Sequence, residues 1–304
     1  MKILHTIQEV VQWRTTTIDR RGKTIGFVPT MGCLHNGHAT LIKQSVNNND
    51  FTAVSIFVNP SQFAPDEDLD QYPRTPDKDI ELLESLNVDV LFAPSAKEMY
   101  PQGIPLDIDQ QRGPFVSVLG VSEMLEGKTR PNFFRGVTTV VTKLFNIVMA
   151  DNAYFGQKDI QQYIVLNVMV KELFVNTKLT MVPIVRNDSG LALSSRNKYL
   201  SAEYVTMASN IYRGLSLAQT TITDIIATGS SVNRDALLQQ IKTVWEPYTA
   251  TGDFKIDYIS IADFYTLNEL DTVGPNDKIV ISCAVNVLDK ISKNTVRLID
   301  NIVM

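Results

Sequence analysis

The chain has 304 residues, enough for about two domains of ordinary size and for a sizeable buried core. Its composition is 44% hydrophobic and 20% charged, with no low-complexity tract and no internal repeat, which excludes a disordered or solenoid protein. Net charge is −5, and the 28 Lys and Arg are scattered among 33 Asp and Glu, so no basic stripe offers itself to nucleic acid.

In chain order, Met1 to Glu9 is too polar for a signal peptide, and no later run reaches the length of a membrane span. A cytoplasmic protein with neither membrane nor nucleic-acid partner is expected. Thr6 followed by Glu9 is a capping-box pattern, and Ile7, Val10 and Val11 supply the apolar stripe of a short helix. Strands are predicted at Thr24 to Pro29, Phe51 to Val58, Val88 to Phe92, Ala153 to Phe155 and Leu179 to Pro183, all short, apolar and rich in branched or aromatic residues. Helices fall between them: Thr75-Pro76-Asp77 reads as a cap and an N1 proline before Ile80, Leu82, Leu83 and Leu86, and helical spacing recurs at Val137 to Met149 and Ile160 to Leu173. Strands alternating with helices predict an α/β fold with a doubly wound parallel sheet, whose ligand crevice lies beyond the strands' carboxyl ends. After about Ser194 the pattern changes. Helical stretches at Ala202 to Ala227 and Arg234 to Val244 precede strands at Phe254 to Ala262, Ile279 to Val287 and Thr295 to Ile302, which predicts a smaller C-terminal α+β domain with an antiparallel sheet and a boundary near Val185 to Leu200.

Four segments carry chemistry. Thr24 to His38 places His35, Gly37 and His38 where the first long strand hands over to a helix. Unpartnered N–H groups and the helix dipole favour an anion there, and His35 and His38 can donate to charge developing on a phosphate. A zinc site would need a third ligand, and the chain holds only one other histidine, His5, and two widely separated cysteines, Cys33 and Cys283. Cys33 reads as a small turn residue, and surface histidines in a glycine-rich loop remain an alternative for the motif alone. Asn59 and Gln62, at the end of the second strand, bring neutral amides that suit a substrate bearing a carboxylate and hydroxyls; a simple Asn-Pro turn is the other reading. In Tyr154 to Gln162, Lys158 can reach a phosphate and Asp159 a ribose diol, with Gln162 one turn beyond Lys158; an ordinary solvated helix start would look similar. In Val185 to Asn197, an Asn-Asp-Ser-Gly turn leads to Ser194, Ser195 and Arg196, a hydroxyl and guanidinium cluster suited to a polyphosphate, or else a flexible interdomain loop.

Together these segments resemble the pantothenate synthetase family, the pantoate:β-alanine ligases of coenzyme A biosynthesis. The resemblance runs through Pro29 to His38, Phe57 to Phe63, Tyr-Pro-Arg-Thr at Tyr72, Leu-Glu-Gly at Leu125, Phe-Arg-Gly-Val at Phe134, Phe155 to Asp159, Gly190 to Asn197, and Arg-Leu-Ile-Asp-Asn at Arg297. A lone His-x-Gly-His marks only the wider nucleotidylyltransferase superfamily; the full set in this order is far more specific.

The resemblance implies a Rossmann-like ATP- and pantoate-binding domain over 1–186, a C-terminal α+β lid domain over 187–304, and a homodimer. It implies that the carboxylate of (R)-pantoate attacks the α-phosphorus of Mg-ATP to give pantoyl adenylate, which β-alanine then converts to pantothenate and AMP. Matched by position, Met31, Gly32, Cys33, Leu34, His35, Asn36, Gly37 and His38 would line the ATP site, with His38 as proton donor and His35 and Lys158 on the phosphates. Gly156, Gln157 and Asp159 would also meet ATP, with Val185 near adenine and Leu193, Ser194, Ser195 and Arg196 along the nucleotide and its triphosphate; Gln62 and Gln162 would hold pantoate, with Gln62 also near β-alanine, and Asn59 joins them as a substrate-binding candidate on the amide reading above. Gln157 stands where the family often has Glu, which removes a negative charge near the triphosphate. Two other readings stay open at this point, another adenylate-forming enzyme of the same superfamily and a non-catalytic nucleotide-binding protein.

Overall fold

The structure, a computed structural model, describes residues 1–18, 21–65, 69–70 and 72–304. The chain divides into two compact units, Met1–Gln157 with Gln161–Pro183, and Lys158–Ile160 with Ile184–Met304.

The first unit is built as the alternating pattern demands. In chain order it holds β1 (Lys2–Leu4), α1 (Ile7–Gln12), β2 (Ile25–Thr30), α2 (Asn36–Asn48), β3 (Phe51–Ile56), α3 (Pro76–Ser85), β4 (Val90–Phe92), α4 (Ala96–Met99), α5 (Leu125–Thr129), α6 (Phe133–Val148), β5 (Asn152–Gly156), α7 (Ile160–Glu172), whose first residue groups with the second unit, and β6 (Lys178–Val182). The six strands form one sheet in the order β1-β4-β3-β2-β5-β6, with every pairing parallel. Ile25, Phe27, Val28, Ala53 and Val54 are fully enclosed, as strands covered by helices on both faces must be. The chain moves outward on one side of β2 through β3 and β4, then returns to its other side at β5. That reversal is the topological switch of a Rossmann-like sheet, where neighbouring connections diverge and leave a crevice beyond the carboxyl ends. Thr6 and Glu9 form the expected reciprocal cap of α1.

Two local features depart from the sequence expectation. Strand β1 was not foreseen: it is a three-residue, largely exposed edge whose partner, β4, supplies the register Lys2↔Val90. Thr75 stands at the N-cap of α3, but its hydroxyl makes no cap bond and donates instead to Asp79 Oδ1 at 3.0 Å. Tyr154, buried in β5 as expected, accepts from Asn49 Nδ2 at 2.8 Å and so ties the end of α2 to the sheet.

The second unit holds α8 (Ala202–Ala208), α9 (Asn210–Ile226), β7 (Val232–Asn233), α10 (Arg234–Ala250), β8 (Phe254–Asp263), β9 (Thr272–Val273), β10 (Ile279–Leu288) and β11 (Thr295–Val303). Its main sheet is antiparallel in the order β11-β10-β8, and β7 and β9 pair separately. The single helical stretch expected from Ala202 to Ala227 is broken at Ser209, because Ser209 Oγ donates to the Thr206 carbonyl at 2.6 Å and Asn210 Nδ2 to that of Met207 at 2.9 Å. Helix α10 runs six residues past the expected Val244 despite Pro247, since Trp245 is enclosed and donates to Asn210 O at 2.8 Å. One face of the main sheet presents Ile281, Cys283 and Val285 to a core completed by Leu215, Ile211, Leu237, Ile241 and Trp245 from the helices. Among the described residues no helix is long and apolar enough to cross a membrane.

Candidate active site

At the switch of the parallel sheet, β2 ends at Thr30 and the chain must turn before α2. His35 caps that helix: its Nδ1 accepts from Gly37 N at 3.1 Å, and His38 Nδ1 accepts from His35 N at 3.3 Å. The rings lie 4.2 Å apart between centroids. A ring nitrogen that accepts a backbone N–H carries no proton, so each neutral imidazole holds its proton on Nε2. Gly37 is required by this geometry, because a Cβ there would stand 2.8 Å from His35 Cε1 and 2.9 Å from its Nδ1.

The turn itself is held from α3. Asp79, 2% exposed, accepts from Cys33 N at 2.9 Å and from Leu34 N at 2.8 Å, one backbone donor on each carboxylate oxygen. Charge-assisted bonds of this kind are the stronger ones, and they hold Cys33 in its left-handed conformation at φ 50. An acidic residue in a first helical turn reads from sequence as a dipole partner, so nothing in the local pattern pointed to this loop.

Beyond β3, Asn59 is 1% exposed and fully engaged. Its Oδ1 accepts from Tyr100 OH at 2.8 Å and from Ser61 N at 3.4 Å, while Nδ2 donates to Gly136 O at 3.2 Å and to Gln62 Oε1 at 3.0 Å. Backbone groups at both ends decide which way the Asn59 amide points. Gln62 is therefore also oriented: its oxygen faces Asn59 and its Nε2 donors turn toward Met31 Sδ, 3.3 Å away. Burial pushes the Tyr100 phenol up to about 12, against its hydrogen bonds with Ser61 and to Asn59 Oδ1, and Lys143 Nζ lies 3.8 Å from the centre of its ring. Asn59, expected to face substrate, is instead occupied in aiming Gln62. Gly136 allows the close approach of α6, since any Cβ there would run into the Ser61 carbonyl.

Gly156 and Gln157 follow β5 at the same end of the sheet. Of the two glutamines beginning α7, Gln161 turns inward, donating to Val121 O at 2.9 Å and Met124 O at 2.7 Å and accepting from Glu126 N at 2.9 Å. Gln162 is only half-buried. Sequence alone did not separate the two.

The remaining expected residues belong to the C-terminal unit. Lys158 lies in a 3₁₀ turn, Gln157–Asp159, so the one-turn relation expected between Lys158 and Gln162 crosses a change of helix type. Asp159 is exposed in the same turn. Leu193 N donates to Val185 O at 2.9 Å, which brings those two residues together, and Ser194 Oγ caps the next turn by accepting from Arg196 N at 3.2 Å. Arg186 makes a two-pronged pair with Asp300 at 2.6 and 2.8 Å.

Comparison with known proteins finds matches over the full chain. The family described as Pantoate-beta-alanine ligase matches residues 2–303. A Pantoate--beta-alanine ligase of Saccharomyces cerevisiae is 66% identical, covering 100% of both chains. Among solved structures, pantothenate synthetase from Thermus thermophilus superposes with a TM-score of 0.83 at 37% identity, covering 99% of each chain. A pantoate-beta-alanine ligase from Francisella tularensis, complexed with Beta-gamma ATP and Beta-alanine, gives a TM-score of 0.73 at 36% identity, covering 100% of this chain and 97% of that one. Matched from end to end, with the oriented histidines and glutamine at the switch of a parallel sheet, the chain belongs to the pantoate–beta-alanine ligase family.

Proposed function

We propose that this chain condenses (R)-pantoate with β-alanine in two steps, using ATP taken as its magnesium complex. A pantoate carboxylate oxygen attacks the α-phosphorus and pyrophosphate leaves; the β-alanine amine then attacks the acyl carbon, AMP leaves, and the amine loses a proton. The acyl carbon thereby exchanges a poor leaving group for AMP. The observation that carries this reading is the fixed orientation of the donors in the first unit. Gln62 turns its Nε2 away from Asn59 and toward Met31 because Asn59 holds its oxygen, and an amide donor suits a carboxylate or hydroxyl without adding charge. His35 and His38 hold Nε2–H at the start of a 13-residue helix, where a phosphate oxygen gathering charge finds both donors and a favourable dipole.

In this reading His38 is the proton donor, His35 and Lys158 steady the phosphates, and Met31 to His38 with Gly156 and Gln157 line the nucleotide. Asp159 meets the ribose, Val185 the adenine region, and Leu193 to Arg196 the triphosphate. Gln62 and Gln162 hold pantoate, while Asn59 acts through Gln62. Lys158 and Arg196 supply positive charge for the triphosphate, and Gln157 in place of a glutamate adds none that would oppose it. By family resemblance we also infer a cytoplasmic homodimer.

Labelled pyrophosphate exchange into ATP tests the first step. Exchange is expected with pantoate alone, without β-alanine, and His38→Ala should lower it by about 10²- to 10⁴-fold in a folded protein. Exchange supported equally by amino acids, or a His38→Ala protein with full exchange, overturns the reading.

A further inference from the structure

The segment Arg297 to Asn301 helped mark the family resemblance but received no role from it. It lies in β11, where Asp300 stands opposite Cys283 and Asn301 opposite Ser282. Alternation along a strand sends these adjacent side chains to opposite faces of the sheet. Asp300, on the face of Cys283, takes both prongs of Arg186, whose guanidinium also donates to Gly190 O at 3.1 Å and stacks 3.6 Å from the centre of the Tyr212 ring. Its Oδ1 further accepts from Asn301 N at 2.8 Å. The strand is thus braced just where Asn301 begins. On the other face, Asn301 Nδ2 donates to the main-chain carbonyl of Lys158 at 3.0 Å, with Asn301 only 1% exposed.

Lys158 needs such a hold. Its turn is a short 3₁₀ piece ahead of α7, and its ammonium sits on a flexible stem that loses rotamer freedom on every phosphate contact. A buried donor on the carbonyl fixes the point from which the stem starts. We propose that Asn301 is a positioning residue for Lys158, setting the reach of the lysine toward the ATP phosphates. The proposal rests on the phosphate role given to Lys158 above.

The test measures ATP binding to the full chain by titration calorimetry, without pantoate so that nothing turns over, for the wild type, Asn301→Ala, Lys158→Ala and the double variant. Loss of one hydrogen bond should weaken ATP by about fivefold in Asn301→Ala, and by less than about twofold when added to Lys158→Ala. The KM for pantoate in the exchange assay should stay within about twofold. Equal penalties in both backgrounds, or none in either while Lys158→Ala binds ATP poorly, would overturn the positioning role. If Lys158→Ala binds ATP as the wild type does, the phosphate role of Lys158 itself fails and the positioning role falls with it. Asn301→Ser, which keeps a shorter donor, is carried alongside with its melting temperature, and serves in the same cycle if Asn301→Ala does not fold.

Discussion

Single residues at this site are set by partners far away in sequence. Asp79 offers each carboxylate oxygen to a different backbone donor, at Cys33 and Leu34, from 46 and 45 residues downstream. An asparagine at that position could accept on one side only and would face the other N–H with a donor. Asp79→Asn should therefore cost about 1–3 kcal/mol of stability and lower kcat/KM for ATP by about tenfold or more, read from melting and steady-state kinetics. Unchanged kinetics in this variant would remove Asp79 from any account of the site. The tautomers of His35 and His38 follow the same logic, since each Nδ1 accepts a backbone N–H and so leaves the proton on Nε2.

At the scale of elements, the close approach of α6 to the Asn59–Gln62 turn is what makes a glutamine into an aimed donor. Gly136→Ala places a methyl against the Ser61 carbonyl, so the turn must move. The KM for pantoate should rise by about tenfold, with a loss of about 1–3 kcal/mol from overpacking, while the KM for ATP changes much less. A variant with unaltered pantoate kinetics would show that the turn tolerates the shift. The long parallel strands and their helices were legible in the sequence because burial on both faces leaves uninterrupted apolar runs. Strand β1 was not, since its three residues gain their identity only from β4, nor was the break at Ser209, where side chains compete for helix carbonyls. The motif residues were legible as a set. Which glutamine of Gln161 and Gln162 turns inward was not, because both choices satisfy the same local pattern and only the loop from Val121 to Glu126 decides.

At the scale of the whole molecule, the C-terminal unit should be the acid-sensitive part. Burial would raise the Asp253 carboxyl, but hydrogen bonds from Lys290, Thr251 and Tyr204 outweigh it and hold it below the ordinary 3.8. Asp289 is lowered likewise: burial opposes the shift, and bonds from Ser201 and Ser292 prevail. Groups with depressed folded values stabilise fully above the unfolded value, and that contribution disappears as pH falls through the folded one. Thermal melts between about pH 6 and about pH 2 should thus lose stability below 3.8, less steeply in Asp253→Asn; identical pH curves for both proteins would contradict the assignment.

The order of the parallel sheet also sets an order in time. Strands β2 and β5, whose ends frame the switch, are far apart along the chain; Ile25 N donates to Asp151 Oδ2 across 126 residues. Contacts that close so long a loop are slow to form, and none of them can exist until β5 has been synthesised. The crevice at the switch accordingly cannot assemble until about half of the chain has been made, and a nascent chain halted before β5 holds its histidines with no opposite wall.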